Sequence, residues 1–266
     1  MVADQSRADR FDAILSLLAE DGRIDVERIV NTLEVSPATA RRDLDALASQ
    51  QLLSRTRGGA VAQSVAYDLP IRYRNLHNKD AKAAIARVAS EMVPKGAVVG
   101  LCGGTTATAI ADALMSRSDI MEASTVPNLT VITNAVNIAV QLAVRPQIKT
   151  VVTGGVLNTR TYEMVGNYAE AVMRGITLDF AFVGVNGLSA QFGPTSQDER
   201  EAAINALMAS RAEHPVLVAD SSKLDQRSFA AIGPRDLFTT VITDAGATAA
   251  QRKALSDYGY DVVIAQ

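Results

Sequence analysis

The stretch SPATARRDLDALASQ, residues 36–50, constrains this chain more than any other. Ser36 is a favoured helix N-cap, and Pro37 falls at the first helical position, where its missing N–H removes nothing. Ala40, Leu44 and Leu47 recur at i, i+4 and i+7, which makes one apolar stripe. Thr39, Arg42 and Asp43 are expected to point away from that stripe, with Arg41 partly against it. A short, capped helix with small and basic residues on its exposed early turns suits a DNA major groove. Arg can bond guanine edges or phosphates there, and Ser and Thr can contact phosphate or bases. An ordinary amphipathic helix with a solvated charged face has the same letters, so the neighbours must decide.

Upstream, residues 10–20 carry Phe11, Ile14, Leu15, Leu17 and Leu18 at helical spacing and end near Asp21-Gly22. Residues 25–33 follow, with Asp25 as a cap and Val26, Ile29, Val30 and Leu33 apolar. Only Glu34 and Val35 separate this segment from Ser36, so the pair reads as a helix-turn-helix. Residues 52–61 then alternate briefly and turn at Gly58-Gly59, as a β-hairpin wing would, with Arg55 and Arg57 placed to reach phosphates. Three helices and a hairpin predict a winged helix-turn-helix over residues 1–61.

At 266 residues the chain is too long for that unit alone, and a second domain is expected. No apolar run reaches the roughly 18 residues of a membrane span, and no signal segment opens the sequence. The single cysteine, Cys102, excludes an intrachain disulfide framework. His77 and His214, far apart and without companion cysteines, do not make a typical structural zinc site. No metal, cofactor or membrane partner is expected, and the cytoplasm is the expected location.

The net charge of −3 hides an uneven distribution. Residues 1–35 set four arginines against eight carboxylates, whereas residues 36–61 set Arg41, Arg42, Arg55 and Arg57 against Asp43 and Asp45 alone. So small a basic footprint implies modest affinity per monomer, and a dimer or larger homo-oligomer on a two-fold operator is expected.

Residues 62–80 lack sustained periodicity, contain Pro70 and read as a linker that includes His77. From 81 onward, short apolar runs alternate with amphipathic helical segments. Strands are expected at 97–101, 129–133, 149–153, 180–185, 216–219, 240–243 and 262–264. Helices are expected at 83–92, after Thr106 to about 116, and at 135–144, 169–174, 197–212 and 247–258. That alternation predicts a mainly parallel α/β sheet covered on both faces over residues 81–266.

Chemistry in such a sheet belongs at the carboxyl ends of the strands. Cys102-Gly103-Gly104-Thr105-Thr106, between a strand and a helix, offers free backbone N–H groups and a helix dipole to an anion. It is neither a Walker A loop nor GxGxxG, and a plain tight turn capped by Thr is the competing reading. Thr133-Asn134, Gly154-Gly155, Asn186-Gly187 and Asp220-Ser221-Ser222-Lys223 end other strands. Lys223 supplies a point charge for phosphate, or pairs as a solvated lysine with Asp220 or Asp225. Asp220 and Glu201 could accept from sugar hydroxyls, although Asp198, Glu199 and Glu201 also suit a helix start. Small, hydroxylated and glycine-rich loops suit a sugar phosphate better than a flat heterocycle.

Over nearly its whole length the chain resembles DeoR-family transcriptional regulators. The resemblance is carried by VSPATARRDLDAL and LLSRTRGGAV, and then by GGTTATAIADAL, VITNAVNIA, TGGVLN, FVGVNGLSAQFGPTS and VADSSKL in the same order. It implies an operator-binding winged helix and an effector domain similar to ribose-5-phosphate isomerase and the CoA-transferase-like folds, sensing a phosphorylated sugar or related metabolite and releasing DNA from catabolic genes. Cys102 stands where the family often has Asp, Asn186 where an acid is common, and Asn205 where Lys is common.

The expected DNA contacts are therefore Ser36, Pro37, Thr39, Arg41, Arg42, Arg55 and Arg57. The expected effector contacts are Gly103, Gly104, Thr105, Thr106, Asn134, Gly155, Glu201, Asp220 and Lys223. The rival reading is a sugar-phosphate isomerase fused to a DNA-binding unit. Such an enzyme would need a carboxylate base beside its carbon acid, a role open to Asp198, Glu199, Glu201 or Asp220. A second domain that only dimerises would leave the polar strand ends unexplained.

Overall fold

The computed structural model describes residues 7–49, 52–61, 78–234 and 236–266. The chain divides at Lys79 and Asp80 into two compact units, each with its own apolar core. The expected linker at 62–80 lies outside the described residues up to 77, and its end is helical, because the next helix already begins at Lys79.

The first unit contains α1 (Arg7–Asp21), β1 (Arg23–Asp25), α2 (Val26–Leu33), α3 (Pro37–Ser49), β2 (Ser54–Thr56) and β3 (Gly59–Val61). Asp25 caps α2 by accepting from the Arg28 N–H at 2.7 Å. Glu34 closes α2 in the left-handed region (φ 52°), which turns the chain within two residues into α3. Ile14, Leu15, Leu18, Ile29, Ala40, Leu44 and Leu47 are fully buried and fasten the three helices together. The wing is more than a hairpin. β1 pairs antiparallel with β3, giving a three-stranded sheet of order β1-β3-β2. Three residues with one apolar member, Ile24, carry no readable alternation. The strand exists because β3 supplies its partner, and a Cβ on Gly59 would lie 2.1 Å from the Ile24 carbonyl oxygen.

The second unit is built on a seven-stranded parallel sheet of β4 (Val98–Leu101), β5 (Leu129–Thr133), β6 (Ile148–Val152), β9 (Leu178–Gly184), β12 (Ala212–Val218), β14 (Thr240–Asp244) and β15 (Asp261–Ala265). Its helices are α4 (Lys79–Glu91), α5 (Thr105–Met115), α6 (Ser118–Met121), α7 (Val136–Leu142), α8 (Asn167–Arg174), α9 (Glu199–Ser210) and α10 (Ala249–Tyr258). A hairpin of β7 (Val156–Leu157) and β8 (Met164–Val165) and a small antiparallel sheet of β10 (Gly187–Ser189), β11 (Gly193–Ser196) and β13 (Ala230–Ala231) were not expected. Neither were β1 nor α6. These segments are two to four residues long, too short to display a period. β12 begins four residues earlier than expected, through Glu213, His214 and Pro215. Pro215 is tolerated because β12 pairs with β14 only from Val216 onward, so at 215 the strand has β9 alone as neighbour.

The sheet order is β15-β14-β12-β9-β4-β5-β6. The chain lays down β4, β5 and β6 outward in one direction, then returns to place β9, β12, β14 and β15 outward in the other. The reversal falls between β4 and β9, and there the carboxyl ends of an open parallel sheet form a crevice.

Candidate functional site

In the first unit the side-chain arrangement follows from α3. The Thr39 N–H donates to Ser36 Oγ at 3.1 Å, and the two hydroxyls lie 2.9 Å apart, so Ser36 caps the helix as expected. Arg41 and Arg42 are both exposed and hydrogen-bond no described residue. Arg41 does not pack against the apolar stripe. Asp43 departs further from expectation: it is 3% exposed and faces inward, three residues after fully buried Ala40 and one before Leu44. Arg10 of α1 makes this possible, donating through Nε to Asp43 Oδ2 at 2.8 Å.

The two wing arginines differ. Arg55 pairs with Asp45 of α3 at 2.7 Å and also donates to the Gly59 carbonyl oxygen, so it braces the wing against the helix. Arg57, at the turn beside Gly58, is exposed and hydrogen-bonds no described residue. Exposed Ser36, half-buried Thr39 and exposed Arg41, Arg42 and Arg57 offer donors of the type that phosphates and base edges accept.

In the second unit the loop after β4 lies at the strand-order reversal. Gly104 adopts φ 102°, a left-handed value that only glycine takes without strain, and the space where a Cβ would project is open to 4 Å. It precedes α5 with no side-chain cap, so the first N–H groups of that helix are left for another acceptor. Thr105 is half-buried and Thr106 is 9% exposed. Gly103 is small for a different reason. A Cβ there would stand 2.1 Å from Glu163 Cγ and 2.5 Å from its Oε1, so the Glu163 side chain lies directly on the Gly103 backbone.

Glu163, a residue that the sequence reading missed, is placed by the β7–β8 hairpin. Its carbonyl accepts from the Asn158 N–H at 2.8 Å, and its strand edge bridges to Ala135. Its carboxylate accepts from Asn134 Nδ2 at 3.1 Å and is 5% exposed. From the same hairpin, Thr161 Oγ1 and Asn158 Nδ2 donate to Glu201 Oε1 at 2.6 and 2.9 Å. Glu201 opens α9 behind its N-cap Asp198 and is 6% exposed. Asn134 and Glu201 thus meet the hairpin that reaches the glycine loop. The polar run 158–163 after Gly154-Gly155 was the only sequence signal of this.

The remaining expected residues have local duties. Gly155 (φ 127°) lets the hairpin close, since a Cβ there would sit 2.8 Å from the Val165 carbonyl oxygen. Asp220 is 2% exposed and caps the single 3₁₀ turn of residues 221–223, accepting from the Ser222 N–H at 3.2 Å. Lys223 ends that turn, half-buried, on the loop after β12, two strands from β4 in the sheet order. Asn186, after β9, accepts from Gln197 N–H at 3.0 Å and Ser196 Oγ at 3.2 Å.

Cys102 is fully buried; its Sγ accepts from the Gly184 N–H at 3.1 Å and donates to the Gly103 carbonyl at 3.2 Å. Burial foremost, then the negative charge of Glu163, pushes its thiol well above the ordinary range, so it is a packed strand-end group and no nucleophile. Among the described residues no group of three His, Cys, Asp or Glu side chains could hold a metal ion, and no helix is long and apolar enough to cross a membrane.

The comparisons with known proteins agree with this division. Residues 10–65 match the DeoR-like helix-turn-helix domain, and residues 77–245 match the DeoR C terminal sensor domain. The chain is 34% identical to the HTH-type transcriptional regulator GlpR of Haloferax volcanii, over 96% of this chain and 97% of that one. It is 29% identical to the glycerol-3-phosphate regulon repressor of Escherichia coli (95% and 96%) and 28% identical to the transcriptional repressor CsqR of the same organism (97% and 95%). Among solved structures the chain is also similar to ribose 5-phosphate isomerase A from Methanocaldococcus jannaschii, at 19% identity and a TM-score of 0.40 over 60% of this chain and 57% of that one, a likeness too distant to speak for activity. Relatives of full length are regulators, and the rival enzyme reading is not favoured. With both halves matched and in the same order, the chain belongs to the DeoR family of transcription regulators.

Proposed function

We propose that this regulator represses genes of sugar or polyol catabolism, and that a phosphorylated sugar or polyol bound in the second unit relieves the repression. The observation that carries the effector half is the glycine-threonine loop. It lies at the strand-order reversal, precedes a helix start without a side-chain cap, and has open space at Gly104. The phosphate would rest on the N–H groups of Gly104, Thr105 and Thr106, with Lys223 adding a positive charge. Gly103, Asn134 and Glu201 would surround the carbon chain, and Gly155 and Asp220 would shape the walls. The names of the glycerol-3-phosphate regulon repressor and its kin support a small phosphorylated polyol as the first ligand to try.

On the DNA side, Arg42 and Thr39 would read base edges, with Ser36, Pro37 and Arg41 at the groove and Arg57 on phosphate. Arg55 would act by holding the wing. The working form would be a homodimer or larger homo-oligomer in the cytoplasm. Exposed Val152 on the edge strand β6, with exposed Val140, Val144, Val156 and Leu157 nearby in sequence, supports a second copy covering that side.

The test is binding to the chain's own upstream DNA at fixed salt, with titration of glycerol 3-phosphate and a set of pentose and hexose phosphates. Loss of DNA binding with one phosphorylated compound, but not with its unphosphorylated parent, is the expected result. Lys223→Ala should raise the concentration needed about tenfold or more. Specific DNA binding indifferent to the whole set would overturn the effector half, and an unchanged response in Lys223→Ala would remove that residue from the site.

A further inference from the structure

We infer that the polar end of the effector site is an acceptor surface that selects ligands with hydroxyl donors and rejects phosphorylated sugar acids. This inference rests on the effector reading above and narrows its ligand class.

Two buried carboxylates are joined by the hairpin that reaches the glycine loop. Glu163 lies on the Gly103 backbone, and Glu201 is tied to the same hairpin through Asn158 and Thr161. Thr161 links them directly, its Oγ1 accepting from the Glu163 N–H at 3.4 Å and donating to Glu201 Oε1 at 2.6 Å, and the charge of each carboxylate raises the Cys102 thiol beside that loop. Two further acceptors stand with them. Asn134 is 0% exposed, and its Nδ2 donates to Glu163 Oε2 and, at 3.4 Å, to the Met164 carbonyl oxygen. Those two acceptors fix the orientation of the carboxamide, and its Oδ1 is left buried with no hydrogen bond. Asn205 lies one turn beyond Glu201 on the same face of α9, is 4% exposed, and also has a buried Oδ1 with no hydrogen bond.

Buried acceptors without donors are costly in a finished structure, and a ligand that brings donors removes the cost. Sugar and polyol hydroxyls are such donors. A carboxylate on the ligand brings none, and it would add a negative charge beside Glu163 and Glu201 in a poorly hydrated setting, where like charges repel strongly. The phosphate is not excluded by the same argument, because its seat is the N–H-rich start of α5.

The experiment uses the full chain and matched ligand pairs that differ only at one carbon: glycerol 3-phosphate against 3-phosphoglycerate, and sorbitol 6-phosphate against 6-phosphogluconate. Affinity is read by calorimetry for the wild type, Glu163→Gln and Glu201→Gln, with an unchanged urea unfolding midpoint of the second unit as the check that each variant folds. The alcohol member of a pair should bind at least tenfold more tightly than its acid. Glu163→Gln, which keeps the shape and removes the charge, should shrink that ratio to a few-fold. Equal or tighter binding of the acid overturns the selection while leaving a sugar-phosphate site in place, and so does a ratio that neither variant moves. If no phosphorylated compound of either kind binds, the effector reading itself falls, and the selection falls with it.

Discussion

Arg10 and Asp43, 33 residues apart in sequence, form an ion pair that fastens α1 to the inner face of α3 at 2.8 Å. The helix that presents Arg41 and Arg42 outward therefore carries a charge on its buried side too. Arg10→Ala would leave the Asp43 carboxylate enclosed without this partner. The expected cost is about 2–3 kcal/mol, below that of a fully enclosed pair because the Arg10 side chain keeps 17% exposure. Hydrogen exchange of the Leu44 and Leu47 amides should accelerate accordingly, and unchanged protection would show that the pair contributes little.

The two wing arginines should separate in a salt titration. Removing a phosphate contact lowers the slope of log K against log salt by about 0.9, so Arg57→Ala should show that change. Arg55→Ala should instead loosen the wing by releasing Asp45 and the Gly59 carbonyl, with little direct effect on the slope. Equal slope changes in both would put Arg55 on the DNA as well.

Arg42→Ala should cost roughly 1–3 kcal/mol on the specific operator and much less on random DNA if the side chain reads a base. Competition binding at one salt concentration measures both numbers. A uniform loss across sequences would reassign Arg42 to phosphate.

Gly103→Ala places a methyl group against Glu163 and should destabilise the second unit by about 1–3 kcal/mol. Glu163→Ala deletes the three atoms nearest to the methyl group, so the double variant Gly103→Ala, Glu163→Ala should recover most of the loss. Urea unfolding of the four proteins in this cycle gives the coupling. Simple additivity would mean that the carboxylate swings clear without cost.

Cys102 supplies a pH dependence with a definite sign. Its proton is held more tightly in the folded chain than in the unfolded one, where the thiol titrates near 9.0. The stabilisation is complete below that pH and declines as pH rises, by up to about 1.4 kcal/mol per unit, until the folded thiol itself ionises. Unfolding midpoints at pH 8, 9 and 10 should therefore fall more steeply in the wild type than in Cys102→Ala. Parallel curves would contradict the burial of this group.

Where a signal was periodic or chemical, the sequence displayed it. The Ser-Pro start of α3, the alternation that predicts seven parallel strands, and the Gly-Gly-Thr-Thr loop all lie where they were expected, within a few residues at their ends. The missing features depend on partners. Ile24 becomes part of a strand only because Ala60 pairs with it, and Asp43 can be buried only because Arg10 reaches it. Glu163 reads as one polar letter in a loop until the hairpin folds it onto Gly103. Gly103 showed the converse, since its small size was legible but the side chain that requires it was not.

The reversal between β4 and β9 also bears on how the protein is made. The residues proposed for the effector site, from Gly103 through Asn134, Glu163 and Glu201 to Lys223, are spread over 121 positions of the chain. The β4–β6 half carries the glycine loop, Asn134 and Glu163, whereas Glu201 and Lys223 come only with the β9–β12 half. With that site, a nascent chain still short of β12 lacks Lys223, and the effector would stabilise finished molecules most, in proportion to its own concentration. In a cell this would make the abundance of the regulator, and not only its grip on DNA, respond to the compound that it senses.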